Sequence, residues 1–135
     1  MNKMTKWIGV DLDGTLAQVS HGNFGMIGRP VEAMMNRVKA WLNEGDYEVR
    51  IFTARAADPN QIGKVKDWLS RNGLAGLEVT HLKDRDMIEL WDDKAVRVER
   101  NTGKVCEGCG NAERDQPGFS HRKRTLSDIP QHTDC

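Results

Sequence analysis

Short apolar runs alternate along this chain with longer stretches in which apolar residues recur at helical spacing. The first run, Trp7-Ile8-Gly9-Val10, is too short for a helix and suits a strand buried in a parallel sheet. A glycine-containing loop follows. From Val31 onward, apolar residues recur at i, i+3, i+4, i+7, i+10 and i+11. This spacing predicts a helix with one buried face, which begins at Pro30 and ends at Gly45.

The alternation continues beyond this helix. Residues 49–53 predict a second strand, and Asp58-Pro59 supplies an N-cap and a first-turn proline for a second helix that ends at Gly73. Further strands are predicted at residues 78–80, 88–91 and 95–98. Strands that alternate with helices in this way indicate an α/β fold with a mainly parallel sheet.

The length and the end of the pattern predict the domain organisation. At 135 residues the chain is long enough for one domain with its own core. The periodic pattern ends after Asn101, and residues 103–135 contain few large apolar side chains. We therefore predict an α/β domain over residues 1–102 and a tail or small appendage over residues 103–135.

Charge and cysteine content exclude several classes of protein. Lys+Arg and Asp+Glu balance at 20 each, which argues against a dominant field for nucleic acid or acidic membranes but leaves a local basic patch at residues 121–124 open. No run approaches the roughly 18 apolar residues of a membrane span, and no apolar signal-peptide region precedes Trp7. The odd number of cysteines favours a reducing compartment. We therefore expect a cytoplasmic protein without a membrane partner.

Acidic and hydroxyl side chains fall where the predicted strands end. Asp11 and Asp13 follow the first strand, and Thr53 ends the second. Lys83 follows the strand at 78–80, and Asp92 and Asp93 follow the strand at 88–91. Because the carboxyl ends of parallel strands meet at one edge of a sheet, we expect these side chains to converge on one crevice. Carboxylates held together repel each other and are rarely kept without a cation or a chemical task. A Mg²⁺ ion and a phosphate group would satisfy this arrangement.

Two other kinds of structure also place acids in such patterns. An EF-hand loop also begins with Asp-x-Asp-Gly-like residues, but here its sixth position is Leu16 and its twelfth is Gly22. These positions require glycine and a bidentate glutamate, so an EF-hand is excluded. Asp92 and Asp93 alone could form a capped turn on a solvated face, although their place at a strand end favours the shared crevice.

These residues together resemble the haloacid dehalogenase (HAD) superfamily of phosphatases. The resemblance rests on Asp11-Leu12-Asp13-Gly14-Thr15 after an apolar strand, Thr53 at the end of the next, a lysine, and Trp91-Asp92-Asp93. It covers roughly residues 7–98. It implies a Rossmann-like three-layer sandwich and an enzyme that hydrolyses a phosphate monoester through an aspartyl-phosphate intermediate, with Mg²⁺ as its cofactor.

The resemblance also implies a role for each matching residue. Asp11 would be the nucleophile, and Asp13 would protonate the leaving oxygen and then activate water. Mg²⁺ would be held by Asp11, by the backbone carbonyl of Asp13 and by Asp92, with Asp93 as a ligand through water or an orienting residue. The substrate-binding residues implied are Thr53, Arg55, Gly14 and Thr15.

The lysine that the family uses at its phosphate site has three candidates. Lys83 lies nine residues before Asp92, a spacing that compact members of the superfamily show. Lys94, beside the acidic pair, is the second candidate and Lys64 the third.

The spacing of the motifs leaves no room for an inserted cap domain. Only 13 residues separate Leu16 from Pro30, and 29 separate Thr53 from Lys83. We therefore expect an open crevice bordered by a flap at residues 16–29. Such a site favours a large or polymer-linked substrate, such as a phosphorylated nucleic-acid end; a sugar or nucleotide phosphate stays open if a homo-oligomer covers the site. Candidate specificity residues in the flap are His21, Asn23, Phe24 and Arg29.

Two Cys/His pairs near the end of the sequence could hold a structural Zn²⁺. The ligands would be Cys106, Cys109, His132 and Cys135, with His121 as an alternative to His132. Free thiols are the alternative.

A second function stays open at this point. The chain could be a non-catalytic module that binds phosphate, nucleic acid or protein on the same fold. The acid at Asp13 favours the enzyme, because a module without chemistry would not need it.

Overall fold

The computed structural model describes residues 6–19 and 25–106. A short 3₁₀ helix at Ala54–Ala57 follows the second strand. The other elements, in chain order, are β1 (Trp7–Val10), α1 (Glu32–Glu44), β2 (Glu48–Phe52), α2 (Pro59–Arg71), β3 (Glu78–Thr80) and β4 (Met87–Trp91). This confirms the predicted α/β class.

The four strands form one sheet in the order β3-β2-β1-β4, and every neighbouring pair is parallel. Val10 at the end of β1 lies opposite Ile51 in β2 and opposite Trp91 in β4. The carboxyl end of β1 therefore lies between the carboxyl ends of its two neighbours. The arrangement is compatible with a Rossmann-like sandwich.

A single buried cluster joins the sheet to both helices. Ile8 and Val10 from β1 share it with Val38 from α1 and Val65 from α2. Leu12, which directly follows β1, is also fully buried in this cluster. Burial of Leu12 anchors the turn between Asp11 and Asp13, because moving the turn would expose an apolar side chain to water.

The helix ends follow the local chemistry predicted for them. Helix α2 begins at Pro59, and the Asp58 side chain accepts a hydrogen bond from the Asn60 N–H at 2.9 Å. Helix α1 ends at Gly45, which has a φ of 74°. Its start differs slightly from the prediction, since regular helix begins two residues after Pro30, at Glu32.

The predicted strand at residues 95–98 is wrong. Residues 95–97 have no regular structure, and Val98 forms an isolated antiparallel bridge with Val105. The chain turns between them, with positive φ values of 69° at Asn101 and 80° at Gly103. A local turn built on Asn and Gly therefore pairs this β-branched segment with its own sequence neighbours.

The chain divides into two compact units, Met1–Asp93 and Lys94–Cys135. All the predicted catalytic residues, from Asp11 to Asp93, belong to the first unit. The boundary predicted after residue 102 stays a prediction. Among residues 6–19 and 25–106, no helix has the length and apolarity needed to cross a membrane.

Candidate active site

Three carboxylates meet where β1 and β4 end. The Asp11 N–H donates to the Trp91 carbonyl at 2.9 Å, so the pairing of these strands continues one residue beyond β1. Asp92 and Asp93 follow directly. One carboxylate oxygen from each of the three acids lies within 4.8 Å of the others, an arrangement that could hold a metal ion. The convergence predicted for Asp11, Asp92 and Asp93 is therefore present, and the donor set of oxygens suits Mg²⁺.

The surroundings of Asp11 disfavour its charged form. Burial raises the pKa of Asp11 to about 7, and a hydrogen bond with Asp93 and the negative charge of Asp92 act in the same direction. A proton on Asp11 relieves the repulsion in the metal-free protein. A bound divalent cation would relieve it in the same way and would displace that proton.

This pKa shift predicts how the stability of the metal-free protein varies with pH. Below pH 3.8, the ordinary pKa, Asp11 is protonated in both the folded and the unfolded chain; above its folded pKa of about 7 it is ionised in both. The stabilising contribution of the protonated Asp11 carboxyl group to the free energy of unfolding is therefore fully present at low pH. It is lost as the pH rises from about 4 to about 7. The thermal midpoint of the wild type in EDTA should fall, relative to that of Asp11→Asn, between about pH 5 and about pH 8. If the thermal midpoints of the wild type and Asp11→Asn differed by the same amount at both pH values, the prediction would be wrong.

Thr15 joins the loop after β1 to the end of β4. Its hydroxyl donates to Oδ1 of Asp93 at 3.0 Å and accepts the Asp93 N–H at 3.0 Å. The same hydroxyl lies 3.4 Å from Oδ2 of Asp11. Thr15 itself is 9 % exposed, whereas its partner Asp93 is exposed. Thr15, predicted to bind substrate, holds two of the acids in place in this structure.

Gly14 leaves space for the Asp93 carboxylate. A Cβ at this position would lie 2.6 Å from Oδ2 of Asp93, and the backbone has a φ of 92°. Both features require glycine. Its N–H donates to the Ala17 carbonyl at 2.7 Å, which closes the turn after β1.

Asp13 lies apart from the acid cluster and pairs with Arg55. Its two carboxylate oxygens accept hydrogen bonds from Nε and Nη2 of Arg55 at 2.7 and 2.9 Å. This pairing raises the pKa of Arg55 further. The two aspartates of the Asp-x-Asp sequence are therefore placed in different environments, Asp11 among acids and Asp13 against a cation.

Thr53 lies at the carboxyl end of β2, as predicted. It is 3 % exposed, and its N–H donates to the Thr80 carbonyl at 2.9 Å. The hydroxyl oxygen accepts the Arg55 N–H at 3.1 Å and caps the 3₁₀ helix. A threonine hydroxyl that accepts one bond still has a proton to donate, which is what a phosphoryl oxygen requires.

Lys83 is exposed in the connection between β3 and β4, and the next residue, Asp84, accepts a hydrogen bond from the Trp7 indole at 2.8 Å. Within the part of the chain that the structure describes, no hydrogen bond or ion pair joins Lys83 to Asp11, Asp92 or Asp93. Its role at a phosphate site stays a prediction, as do those of Lys94 and Lys64.

A groove of about 680 Å³ lies between the flap and α2. Its lining includes three basic side chains, Arg29, Lys64 and Arg71, and one acidic side chain, Asp67. The three clustered carboxylates do not line it. The groove is therefore a separate feature with a basic excess.

Most of the proposed zinc site and part of the flap lie outside the described residues. Among the four zinc candidates only Cys106 is described, and it is disulfide-bonded. A thiolate ligand would require this cysteine in its reduced form, so the zinc site stays a prediction. Three flap candidates, His21, Asn23 and Phe24, and the basic patch at residues 121–124 also lie outside the described residues.

Gln61 is a contributor that the sequence did not indicate. Its Oε1, on the first turn of α2, accepts a hydrogen bond from Nη1 of Arg55 at 3.0 Å. No sequence pattern marks this glutamine. It meets Arg55 only because the path of the chain between them brings the two side chains together.

No known protein family, characterised protein or solved structure gives a significant match to this chain. The function is therefore inferred from the residues described above and from their geometry.

Proposed function

We propose that this protein is a Mg²⁺-dependent phosphatase of the HAD type, which hydrolyses a phosphate monoester through an aspartyl-phosphate on Asp11. One observation carries the proposal. Two aspartates separated by a single buried leucine have unlike surroundings: Asp11 shares a potential cation site with Asp92 and Asp93, and Asp13 is held by Arg55. Unlike surroundings suit unlike roles, a nucleophile and a proton carrier.

The first step forms the intermediate. A carboxylate oxygen of Asp11 forms a bond to phosphorus while the ester P–O bond breaks, and the electron pair of that bond leaves with the ester oxygen. Protonated Asp13 donates its proton to this oxygen, so the alcohol departs neutral.

The second step regenerates the protein. Asp13, now ionised, accepts a proton from water as the water oxygen forms a bond to phosphorus. The P–O bond to Asp11 breaks, which yields phosphate and the free carboxylate. Asp13 is then protonated again, as the next cycle requires.

Charge compensation for both steps would come from a cation that the acid cluster holds. Asp11 and Asp92 would hold Mg²⁺, with Asp93 as a third ligand or an orienting residue, and Thr15 keeps Asp93 in place. Mg²⁺ held there would reduce the repulsion between the anionic phosphate and the carboxylates. Thr53 would donate its hydroxyl proton to a phosphoryl oxygen.

The substrate class follows from exposure and charge. Asp93 is exposed, and the groove beside the flap has three basic side chains and one acidic one. An open site with a neighbouring basic excess suits an anionic substrate that extends beyond its phosphate, such as a phosphorylated oligonucleotide end or a nucleotide or sugar phosphate.

A phosphatase assay on the full-length chain tests the proposal. The wild type should release phosphate from p-nitrophenyl phosphate, and from at least one member of a panel that contains 3′- and 5′-phosphorylated oligonucleotides, nucleotides and sugar phosphates. EDTA should abolish the activity and excess Mg²⁺ should restore it. No hydrolysis across the panel at saturating Mg²⁺ would overturn the proposal, and binding of an oligonucleotide without hydrolysis would favour the binding module.

A further inference from the structure

The guanidinium of Arg55 has all five of its N–H groups in hydrogen bonds. Two go to Asp13, at 2.7 Å from Nε and 2.9 Å from Nη2. Nη1 donates to the Gly25 carbonyl at 2.8 Å and to Oε1 of Gln61 at 3.0 Å. Nη2 also donates to the Met26 carbonyl at 3.3 Å. An arginine side chain has five N–H donors, so none is left for a substrate.

Arg55 is fixed at its backbone as well as at its tip. Its N–H donates to Oγ1 of Thr53 at 3.1 Å, which places it in the 3₁₀ helix after β2. The Arg55 side chain is 15 % exposed and that of Asp13 is 32 % exposed. A two-pronged pair that is mostly shielded from water holds its carboxylate in one orientation far better than an exposed lysine pair would.

We propose that Arg55 is a positioning residue that holds the Asp13 carboxyl group for proton transfer and does not bind the phosphate itself. This inference rests on the proposed function. Each carboxyl oxygen of Asp13 keeps a second lone pair, so Asp13 can carry a proton on the side away from Arg55. Gly25, Met26 and Gln61 in turn hold the guanidinium, because each accepts one of its remaining N–H groups.

The leaving group of the substrate separates the two roles of Arg55. Phenyl phosphate has a poor leaving group and needs a proton from Asp13, whereas 2,4-dinitrophenyl phosphate expels a stable anion and does not. With the full chain and saturating Mg²⁺, Arg55→Met should lower kcat/KM for phenyl phosphate about 10-fold or more beyond its effect on the dinitrophenyl ester. KM should change little for either ester. Arg55→Lys should show most of the same extra loss on phenyl phosphate, since one ammonium cannot make the two-pronged bond to Asp13.

Two further variants sharpen the comparison. Gln61→Leu removes one of the groups that hold the guanidinium and should give a smaller loss with the same preference for the dinitrophenyl ester. Arg50→Met is the matched control, because the Arg50 guanidinium makes its own two-pronged bond to Glu48 in β2, at 3.0 and 3.1 Å, and it should leave the ratio of the two esters unchanged. Equal losses on both esters with a raised KM, rescued by Arg55→Lys, would overturn the inference and assign phosphate binding to Arg55.

Hydrogen exchange gives a readout that does not depend on hydrolysis. Arg55→Met should speed amide exchange in the peptide that covers residues 25–28, and Arg50→Met should not. Unchanged exchange in Arg55→Met would contradict the contacts to Gly25 and Met26.

If the wild type hydrolyses nothing, the proposed function fails. If it hydrolyses both esters and Arg55→Met shows no leaving-group preference, only this inference fails.

Discussion

Replacing Asp11 by Asn should reduce phosphate-ester hydrolysis by on the order of 10³-fold or more, because an amide oxygen cannot replace a carboxylate as the nucleophile. The measurement is kcat for p-nitrophenyl phosphate at saturating Mg²⁺, together with acid-quench trapping of a phosphorylated protein, which the wild type should form and the variant should not. Turnover by Asp11→Asn near that of the wild type would exclude an aspartyl-phosphate on this residue.

The same substitution should not unfold the protein. Burial and the neighbouring acids raise the pKa of Asp11 to about 7, so a neutral side chain removes an unfavourable charge in the metal-free state. We expect the thermal midpoint of Asp11→Asn in EDTA above about pH 7 to equal or exceed that of the wild type. Asp46→Asn is the matched control, since Asp46 is exposed in the loop before β2. It should leave both hydrolysis and stability unchanged.

Replacing Gly14 by Ala should have the second largest effect. The new Cβ would lie 2.6 Å from Oδ2 and 2.8 Å from Cγ of Asp93, so the carboxylate must move. Movement of Asp93 would disturb its bond to Thr15 and the spacing of the acid cluster. Loss of such a supporting contact typically weakens metal affinity about 10–100-fold. We therefore expect the Mg²⁺ concentration that gives the half-maximal rate to rise by about the same factor.

A second glycine separates this contact from backbone strain. Gly76 has nearly the same φ as Gly14, 93° against 92°, but a Cβ there would have nothing within 4 Å. Gly76→Ala should therefore show only the cost of a left-handed alanine, about 1–2 kcal/mol of stability, with unchanged Mg²⁺ dependence. Calorimetric titration of each variant with Mn²⁺ checks the affinity without relying on activity. Equal affinities in Gly14→Ala and Gly76→Ala would contradict the role assigned to the Gly14–Asp93 contact.

Local patterns in the sequence were sufficient for most of the architecture. The run Trp7–Val10 predicts a buried strand because apolar side chains on both faces suit a parallel sheet, and Asp58-Pro59 predicts the start of α2 because both residues satisfy the first turn. The strand predicted at residues 95–98 is wrong. Its β-branched residues resemble a strand, but Asn101 and Gly103 allow a tight turn that pairs Val98 with Val105.

The convergence of the acids was also predictable, since parallel strands end at one edge. Their order along the chain and the buried Leu12 between Asp11 and Asp13 were enough to place Asp11 beside Asp92 and Asp93. Strand alternation alone would put Asp11 and Asp13 on one face. The turn after β1 breaks that alternation and sends the two carboxylates to different partners.

Only the tertiary structure decided those partners. Arg55 reaches Asp13 across 42 positions of sequence, and Thr15 reaches Asp93 across 78. Periodicity, caps and turns act within a few residues, so they determine which segments are strands and helices and where each begins and ends. Contacts between distant residues depend on strand order and register, which no local pattern contains. The sequence therefore determined that Asp11, Asp92 and Asp93 gather at the end of β1; the fold decided that Arg55 holds Asp13 and that Thr15 holds Asp93.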